Sequence, residues 1–589
     1  MKIILKIYRI LDRTERLSLV KLLLLVVIMA ILDILGVVSI MPFMALIANP
    51  DFIFENTLLN TVYNYLEFDG YESFLLFAGI SVLSFYVFSL MFKAYVVYLT
   101  LRFASQKEYS ISKRLFESYL SKPYAWYLER NTSELSKTIL SEVGEVISFG
   151  IMPMLNLVAY GFVCLALILL IIIVNPVLAL ISAASLGGSY LLIFLYIAKK
   201  IDRLGHERAK ENRERFNALS ESFGGIKDVK LRDLESASLN KFSRSAKIYA
   251  DRHATAQAMG MLPRFALEAI AFGGLLLLTI SLTVALGNIE NVLPILSLYA
   301  FAAYRLMPAL NQVYYSSTQL KFVVGALQNI SVEKAYVDKL VSNCSPRDLK
   351  LKKCLSLNNV SFGYQGGGRN ILSGLSLQIA AGEKVAFIGS TGSGKSTAVD
   401  LIVGLLEPDD GIISVDETII NLSNVAAWKK NIGYVPQTIY LNDDTILSNI
   451  AFGLASCDID IEKVERVAKI ACIHDFISKE LELGYYTKVG ERGVRFSGGQ
   501  RQRIGIARAL YHAPSVLILD EGTSALDVIT ESNVMNEIKK YSEDITVIMV
   551  AHRLQTIEDC EKIYYFENGS VELLNSIHEL KQKQGFDAL

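Results

Sequence analysis

Residues 385–397 read Val385-Ala-Phe-Ile-Gly389-Ser-Thr-Gly-Ser-Gly394-Lys395-Ser396-Thr397, an apolar run that ends in glycine and passes into the pattern G-x-x-x-x-G-K-[ST]. The apolar run spells a buried strand, the glycine-rich stretch a tight loop, and the residues from Lys395 onward a helix. This is the strand-loop-helix unit of an α/β fold. Glycines let backbone N–H groups curl around phosphates at a helix N-terminus, Lys395 adds positive charge beside the β/γ-phosphates, and Ser396 offers a hydroxyl to Mg²⁺. The expected ATP contacts are therefore Gly389, Ser390, Thr391, Gly392, Ser393, Gly394, Lys395, Ser396 and Thr397.

Two further segments extend the reading toward hydrolysis. Phe496-Ser497-Gly498-Gly499-Gln500 opens a second helix, over 500–510, whose N-terminus also suits an anion. Shortly after it, Val516-Leu-Ile-Leu-Asp520-Glu521 is a hydrophobic strand ending in two carboxylates. Asp520 suits the Mg²⁺ shell, and Glu521 suits orienting or deprotonating a water.

In this order the segments resemble the ATP-binding-cassette family. The resemblance implies that Tyr364 stacks on adenine, that Gln437 links Mg²⁺ to a membrane domain, that Ser524 to Asp527 form the D-loop with Asp527 near the nucleotide, and that His552 is the catalytic switch histidine. Gly490-Glu-Arg-Gly493 resembles the segment that precedes the signature in exporters. In the family, Ser497, Gly498, Gly499 and Gln500 complete the site of a partner chain across a head-to-tail dimer. A second copy of this chain is the expected partner, giving a homodimer. Two positions depart from the family pattern: Phe496 replaces the usual Leu, and Gly522 stands where Ala is common. Neither removes a catalytic group.

Working back toward the N-terminus, the character changes. The chain has 589 residues, 52% of them hydrophobic, and long apolar runs fill its first half. Candidate spans lie at 20–47, 73–100, 140–174, 177–198, 257–286 and 292–320. The expected fold is an all-α six-helix transmembrane domain of exporter type over 1–330, a linker over 331–353, and an α/β P-loop ATP-binding-cassette domain over 354–589. Residues 48–72 hold five acids and no Lys or Arg, whereas 102–137 hold seven basic residues and 199–252 fourteen. The N-terminus, both long loops and the cassette are thus expected in the cytoplasm of a bacterium, with the spans in its inner membrane. Met1 to Lys21 is expected to lie on the cytoplasmic membrane surface as an amphipathic helix, and Phe54 to Leu66 as a second, outer one. Pro123 to Ser133 and Asn217 to Ile226 resemble coupling helices. The net charge of -1 gives no reason to expect nucleic acid as a partner. The six cysteines lack C-x-x-C spacing and read as free thiols, not a zinc site.

Ionisable residues within the spans point to a lumen. Lys93, Arg264 and Arg305, doubled by a dimer, would make a basic cavity suited to an anionic headgroup such as pyrophosphate. Arg264 and Glu268 are four apart and can instead neutralise each other, and Asp33 can serve Arg305. Asp33-Ile-Leu-Gly-Val-Val-Ser-Ile-Met-Pro-Phe43, Pro263-Arg-Phe-Ala-Leu-Glu268 and Ala303-Tyr-Arg-Leu-Met-Pro308 resemble bacterial flippases of lipid-linked oligosaccharides. That resemblance implies ATP-driven movement of a polyprenyl-pyrophosphate-linked glycan from the cytoplasmic to the periplasmic leaflet, with Arg264 and Arg305 at the pyrophosphate and the outer helix at the lipid tail. The alternatives are an exporter of another lipid, a peptide or a drug, and, from another class, an ATP-gated channel.

Overall fold

A computed structural model describes residues 2–39, 52–174 except 69, 188–266, 289–334, 349–364, 370–523, 525–541, 544–551 and 560–574, with scattered positions in 42–50, 268–280 and 557–579. It divides into two compact units, one of residues 1–122 with 130–340, the other of residues 123–129 with 341–589.

The first unit is helical. Among the described residues, three helical stretches are long and apolar enough to cross a membrane: Arg13–Gly36, Tyr71–Leu120 and Thr132–Leu169. The expected fourth and fifth spans fall in part on residues outside the described set, and the sixth lies in the helix Ile289–Phe322. The helix Tyr71–Leu120 has 50 residues. At about 1.5 Å per residue it is more than twice as long as the roughly 30 Å hydrocarbon core. Its sequence changes accordingly from Tyr95-Val-Val-Tyr-Leu to Ser105-Gln-Lys-Glu-Tyr, so its second half runs on as a polar extension.

The N-terminal helix is shorter than expected: it covers Lys2–Ile10 and breaks at Leu11 and Asp12, so that Arg13 to Lys21 open the next helix, Arg13–Val38, and its apolar stripe is covered by protein. Ile7, Ile10 and Leu11 are buried in one cluster with Val323, Leu327 and Ile330. The sequence shows the stripe and not its partner, because Val323 to Ile330 are over 300 positions away. The outer segment forms two short helices, Phe52–Glu55 and Thr57–Tyr65. Ile53, Leu59 and Tyr63 pack on Leu46 and Phe74, whereas Phe54 (62%) and Leu66 (46%) are exposed. Ser133 Oγ donates to Asn217 Oδ1 at 2.7 Å, tying together the two loops that resemble coupling helices.

The second unit holds two sheets. β1 (Cys354–Phe362), β2 (Leu372–Ala380), β4 (Asp410–Val415) and β5 (Thr418–Ile419) form an antiparallel sheet in the order β2-β1-β4-β5. β3 (Lys384–Gly389), β6 (Ile432–Val435), β7 (Val516–Asp520), β8 (Thr546–Val550), β9 (Lys562–Glu567) and β10 (Ser570–Leu574) form a second sheet in the order β10-β9-β3-β8-β7-β6. There β3, β6, β7, β8 and β9 run parallel. All five residues of β7 are buried, as expected of a parallel strand covered on both faces. Open parallel sheets bind ligands beyond the carboxyl ends of their strands, and β3, β6 and β7 deliver the P-loop, Gln437 and Asp520-Glu521 to that edge.

Candidate functional site

β3 ends at Gly389, and the loop turns into the helix Lys395–Val403. A Cβ at Gly389 would lie 2.2 Å from Phe566 O, and one at Gly394, where φ is +103, would lie 2.6 Å from Leu372 Cδ2. Glycine is thus required there by packing as well as by backbone angle. Lys395, only 6% exposed, donates from Nζ to Gly389 O at 2.8 Å and to Ser390 O at 2.9 Å. Burial lowers its pKa, and the nearby Glu521 and Asp520 carboxylates oppose that shift. Ser393 Oγ is buried with no hydrogen-bond partner among the described residues. A hydroxyl left without a partner inside a curl of backbone N–H groups at a helix N-terminus fits a phosphate oxygen.

β7 carries Asp520, 6% exposed, and then Glu521, whose φ of +52 puts it in the left-handed region. Tyr434 at the end of β6 donates its hydroxyl to Asp520 Oδ2 at 3.4 Å. Gln437 donates from Nε2 to Glu521 Oε2 at 2.8 Å, which turns its amide oxygen away from Glu521. Ser396 hydroxyl, Asp520 carboxylate and Gln437 amide oxygen form an all-oxygen donor set of the kind that Mg²⁺ takes. These residues would hold the ion, which when bound would supply positive charge against the negative charge that develops on the transferred phosphoryl group.

The fold thus gathers Gly389 to Thr397, Gln437, Asp520 and Glu521 at one sheet edge. Tyr364 joins them through its hydroxyl, 3.4 Å from Thr397 Oγ1, with its ring edge-on to Phe362. Ser497 caps the helix Gly498–Tyr511: its Oγ accepts from Gln500 N at 3.2 Å, and Gln500 Oε1 accepts from Ser497 N at 2.8 Å. Asp527 accepts from Thr530 N and Thr530 Oγ1 at the start of the helix Val528–Tyr541, and these bonds hold its carboxyl pKa below the usual range. Ser524 and His552 lie outside the described residues. Phe496 is a core residue, edge-on to Phe476 with ring centroids 6.1 Å apart. Gly522 faces β6, where a Cβ would lie 2.9 Å from Val435 Cγ1.

Sequence reasoning missed three polar residues here. Asp400 lies one turn into the P-loop helix, with its carboxyl pushed up to about 6, by burial first and by Asp520 second. Tyr434 holds Asp520, and Gln502 reaches the loop after β7. Gln502 carries a readable signal, because it shares a helical face with the buried Ile506 and Ala509. Tyr124, in the 123–129 segment, has its hydroxyl pKa raised by burial and then by Asp400 and Tyr364. Of the proposed coupling helix Pro123 to Ser133, residues 123–129 thus group with the second unit.

In the membrane unit, Lys93 Nζ lies 3.2 Å from Asp33 Oδ2. Lys93 thus has a carboxylate within its own chain, where the sequence offers it as a cavity cation and Asp33 as a partner for Arg305. Arg264 Nε meets Glu268 Oε1 at 2.7 Å, with Arg264 still 62% exposed. Arg305 lies in the helix Ile289–Phe322, and its side chain is outside the described set. Among the described residues Cys164, Cys354, Cys457, Cys472 and Cys560 are free thiols.

Comparison with known proteins bears on both units. A family model described as ABC transporter matches residues 372–524, and one described as ABC transporter transmembrane region matches residues 23–301. The chain is 30% identical over 488 residues to the ATP-dependent lipid A-core flippase of Cupriavidus pinatubonensis, covering 81% of this chain and 80% of that protein. It is 31% identical over 492 residues to the putative multidrug export ATP-binding/permease protein YgaD of Bacillus subtilis, covering 81% and 82%. It is 30% identical over 452 residues to the chloroplastic ABC transporter B family member 29 of Arabidopsis thaliana, covering 76% and 70%. The structure of a bacterial Atm1-family ABC exporter with ATP bound superposes with a TM-score of 0.78 at 23% identity, covering 98% of both chains.

Proposed function

From a chain that belongs to the ABC transporter family, as an exporter half-transporter whose cassette drives translocation with ATP, we propose a flippase for a polyprenyl-pyrophosphate-linked oligosaccharide. It acts as a homodimer in a bacterial inner membrane, with the cassette in the cytoplasm, and moves its cargo to the periplasmic leaflet. In each cassette the P-loop and Lys395 hold the triphosphate, and Ser396, Asp520 and Gln437 hold Mg²⁺. Glu521, oriented by Gln437, takes the proton of the attacking water. Ser497 to Gln500 complete the site of the partner copy. Closure of the two cassettes on nucleotide then re-gates the membrane unit.

The observation that carries the substrate reading is Arg264, which sits in an apolar segment and is 62% exposed although Glu268 neutralises one edge of it. An ionisable group kept open at membrane depth is costly unless it serves a path for charged cargo. Similarity along most of the chain to a protein named as a lipid flippase supports the same reading.

The test is reconstitution of the full chain into vesicles with fluorescent lipid-linked oligosaccharide, scoring ATP-dependent leaflet transfer. Arg264→Ala and Arg305→Ala should abolish transfer and leave basal ATPase. Full retention of transfer rejects the headgroup role, and transport of a drug in place of the lipid favours the export activity after which the Bacillus relative is named. Glu521→Gln should reduce turnover by orders of magnitude, and persistent hydrolysis would remove Glu521 from its assigned place.

A further inference from the structure

Among the described contacts, the helix Gly498–Tyr511 meets the loop that follows β7 at three points. A Cβ on Gly498 would lie 3.2 Å from Ala525 Cβ, and one on Gly499 would lie 3.2 Å from Ala525 O. The third point is Gln502, 5% exposed. Its Oε1 accepts from Ala525 N at 2.9 Å, and its Nε2 reaches the Glu521 carbonyl oxygen at 3.4 Å. A single primary amide thus spans both ends of the five-residue stretch Glu521 to Ala525. It uses its acceptor at one end and its donor at the other.

That stretch needs holding. Glu521 has φ of +52, a conformation that a residue with a Cβ adopts only when its surroundings impose it. The turn directs the Glu521 carboxylate toward Gln437 Nε2 at 2.8 Å. Without the bond to its carbonyl, the peptide after Glu521 can rotate toward the ordinary right-handed region and carry the carboxylate with it. Hydrolysis depends on where that carboxylate stands, whereas ATP affinity depends on the P-loop, which Gln502 does not touch among the described contacts.

We propose that Gln502 is a positioning residue for hydrolysis: from the signature helix it fixes the left-handed turn at Glu521 and the start of the D-loop, and so sets the place of the catalytic carboxylate. The proposal rests on Glu521 being the base, and the test separates the two ideas. Full-length protein in vesicles is assayed as wild type, Gln502→Leu, Gln502→Glu, Glu521→Gln and the double variant Gln502→Leu/Glu521→Gln. Gln502→Leu keeps the size and loses both bonds, so kcat falls about 10- to 100-fold, as a small misplacement of a reacting group does, while KM for ATP stays within about twofold. Gln502→Glu keeps the acceptor for Ala525 N and loses the donor to Glu521 O. It also lowers kcat, which keeps the idea testable if the leucine variant fails to fold.

In the double variant the leucine change adds no further loss to Glu521→Gln, because residues acting through one carboxylate are not additive. A kcat within twofold of wild type in both Gln502 variants overturns the proposal. So does a full additional loss in the double variant. Undiminished turnover by Glu521→Gln alone overturns the assignment of the base instead.

Discussion

The first test concerns the ion pair of Lys137 and Glu142. Both side chains are 1% exposed, and Nζ and Oε1 are 2.8 Å apart. In a regular α-helix residues five apart face directions about 140° apart, so such a pair cannot meet. Here the turn Thr138–Glu142 is a π-helix, whose wider i to i+5 spacing brings the two residues onto one face. Asn329 Nδ2 adds a bond to Glu142 Oε1 at 2.9 Å. At an effective dielectric of about 20, unit charges about 4 Å apart attract by about 4 kcal/mol, and removing one partner of a buried pair costs about 3–5 kcal/mol. Lys137→Met or Glu142→Gln alone should therefore lower the melting midpoint in detergent by roughly 6–10 °C, at about 2 °C per kcal/mol. The double variant Lys137→Met/Glu142→Gln should recover to within about 1 kcal/mol of wild type, because no buried charge remains alone and the glutamine amide oxygen can still accept from Asn329 Nδ2. Single variants that melt with the wild type, or a double variant that melts with the worse single one, would refute the reasoning.

Other outcomes follow from the same structure. Gly522→Ala pushes a Cβ to 2.9 Å from Val435 Cγ1 and should cost about 1–2 kcal/mol with reduced ATP turnover. Val435→Ala in that background should restore both, measured by melting and phosphate release. Asp400, raised to about 6 from an ordinary value near 3.9, binds its proton more tightly in the folded state, so its contribution to stability is lost as pH rises between those values. Asp400→Asn should then stabilise the nucleotide-free protein by about 1 kcal/mol at pH 7.5, discounted for partial exposure, and not at pH 4, as read by melts at both. Asp33→Asn leaves Lys93 without the carboxylate 3.2 Å away and should destabilise by about 2 kcal/mol. The exchange Asp33→Lys/Lys93→Asp should recover most of that loss in a melt.

The ATPase half was legible because its chemistry is local. Gly389 to Thr397 lie consecutively on one strand, loop and helix, and Asp520 and Glu521 sit together at a strand end, so spacing alone singled them out as candidates for phosphate and metal. The apolar runs declared a membrane half in the same way, because span length is set by bilayer thickness and not by the fold. Other features depend on residues far apart in the chain. The partner of Ile7 and Ile10 is a helix more than 300 positions away, the carboxylate of Lys93 comes from another span, and Gln502 spans Glu521 to Ala525 from the preceding helix. The π turn at Thr138–Glu142 leaves no period in the sequence, because one widened turn is a compromise among packed neighbours. Glu521 in a left-handed conformation was equally invisible, since no intrinsic preference of glutamate favours it and only the surrounding fold holds it there.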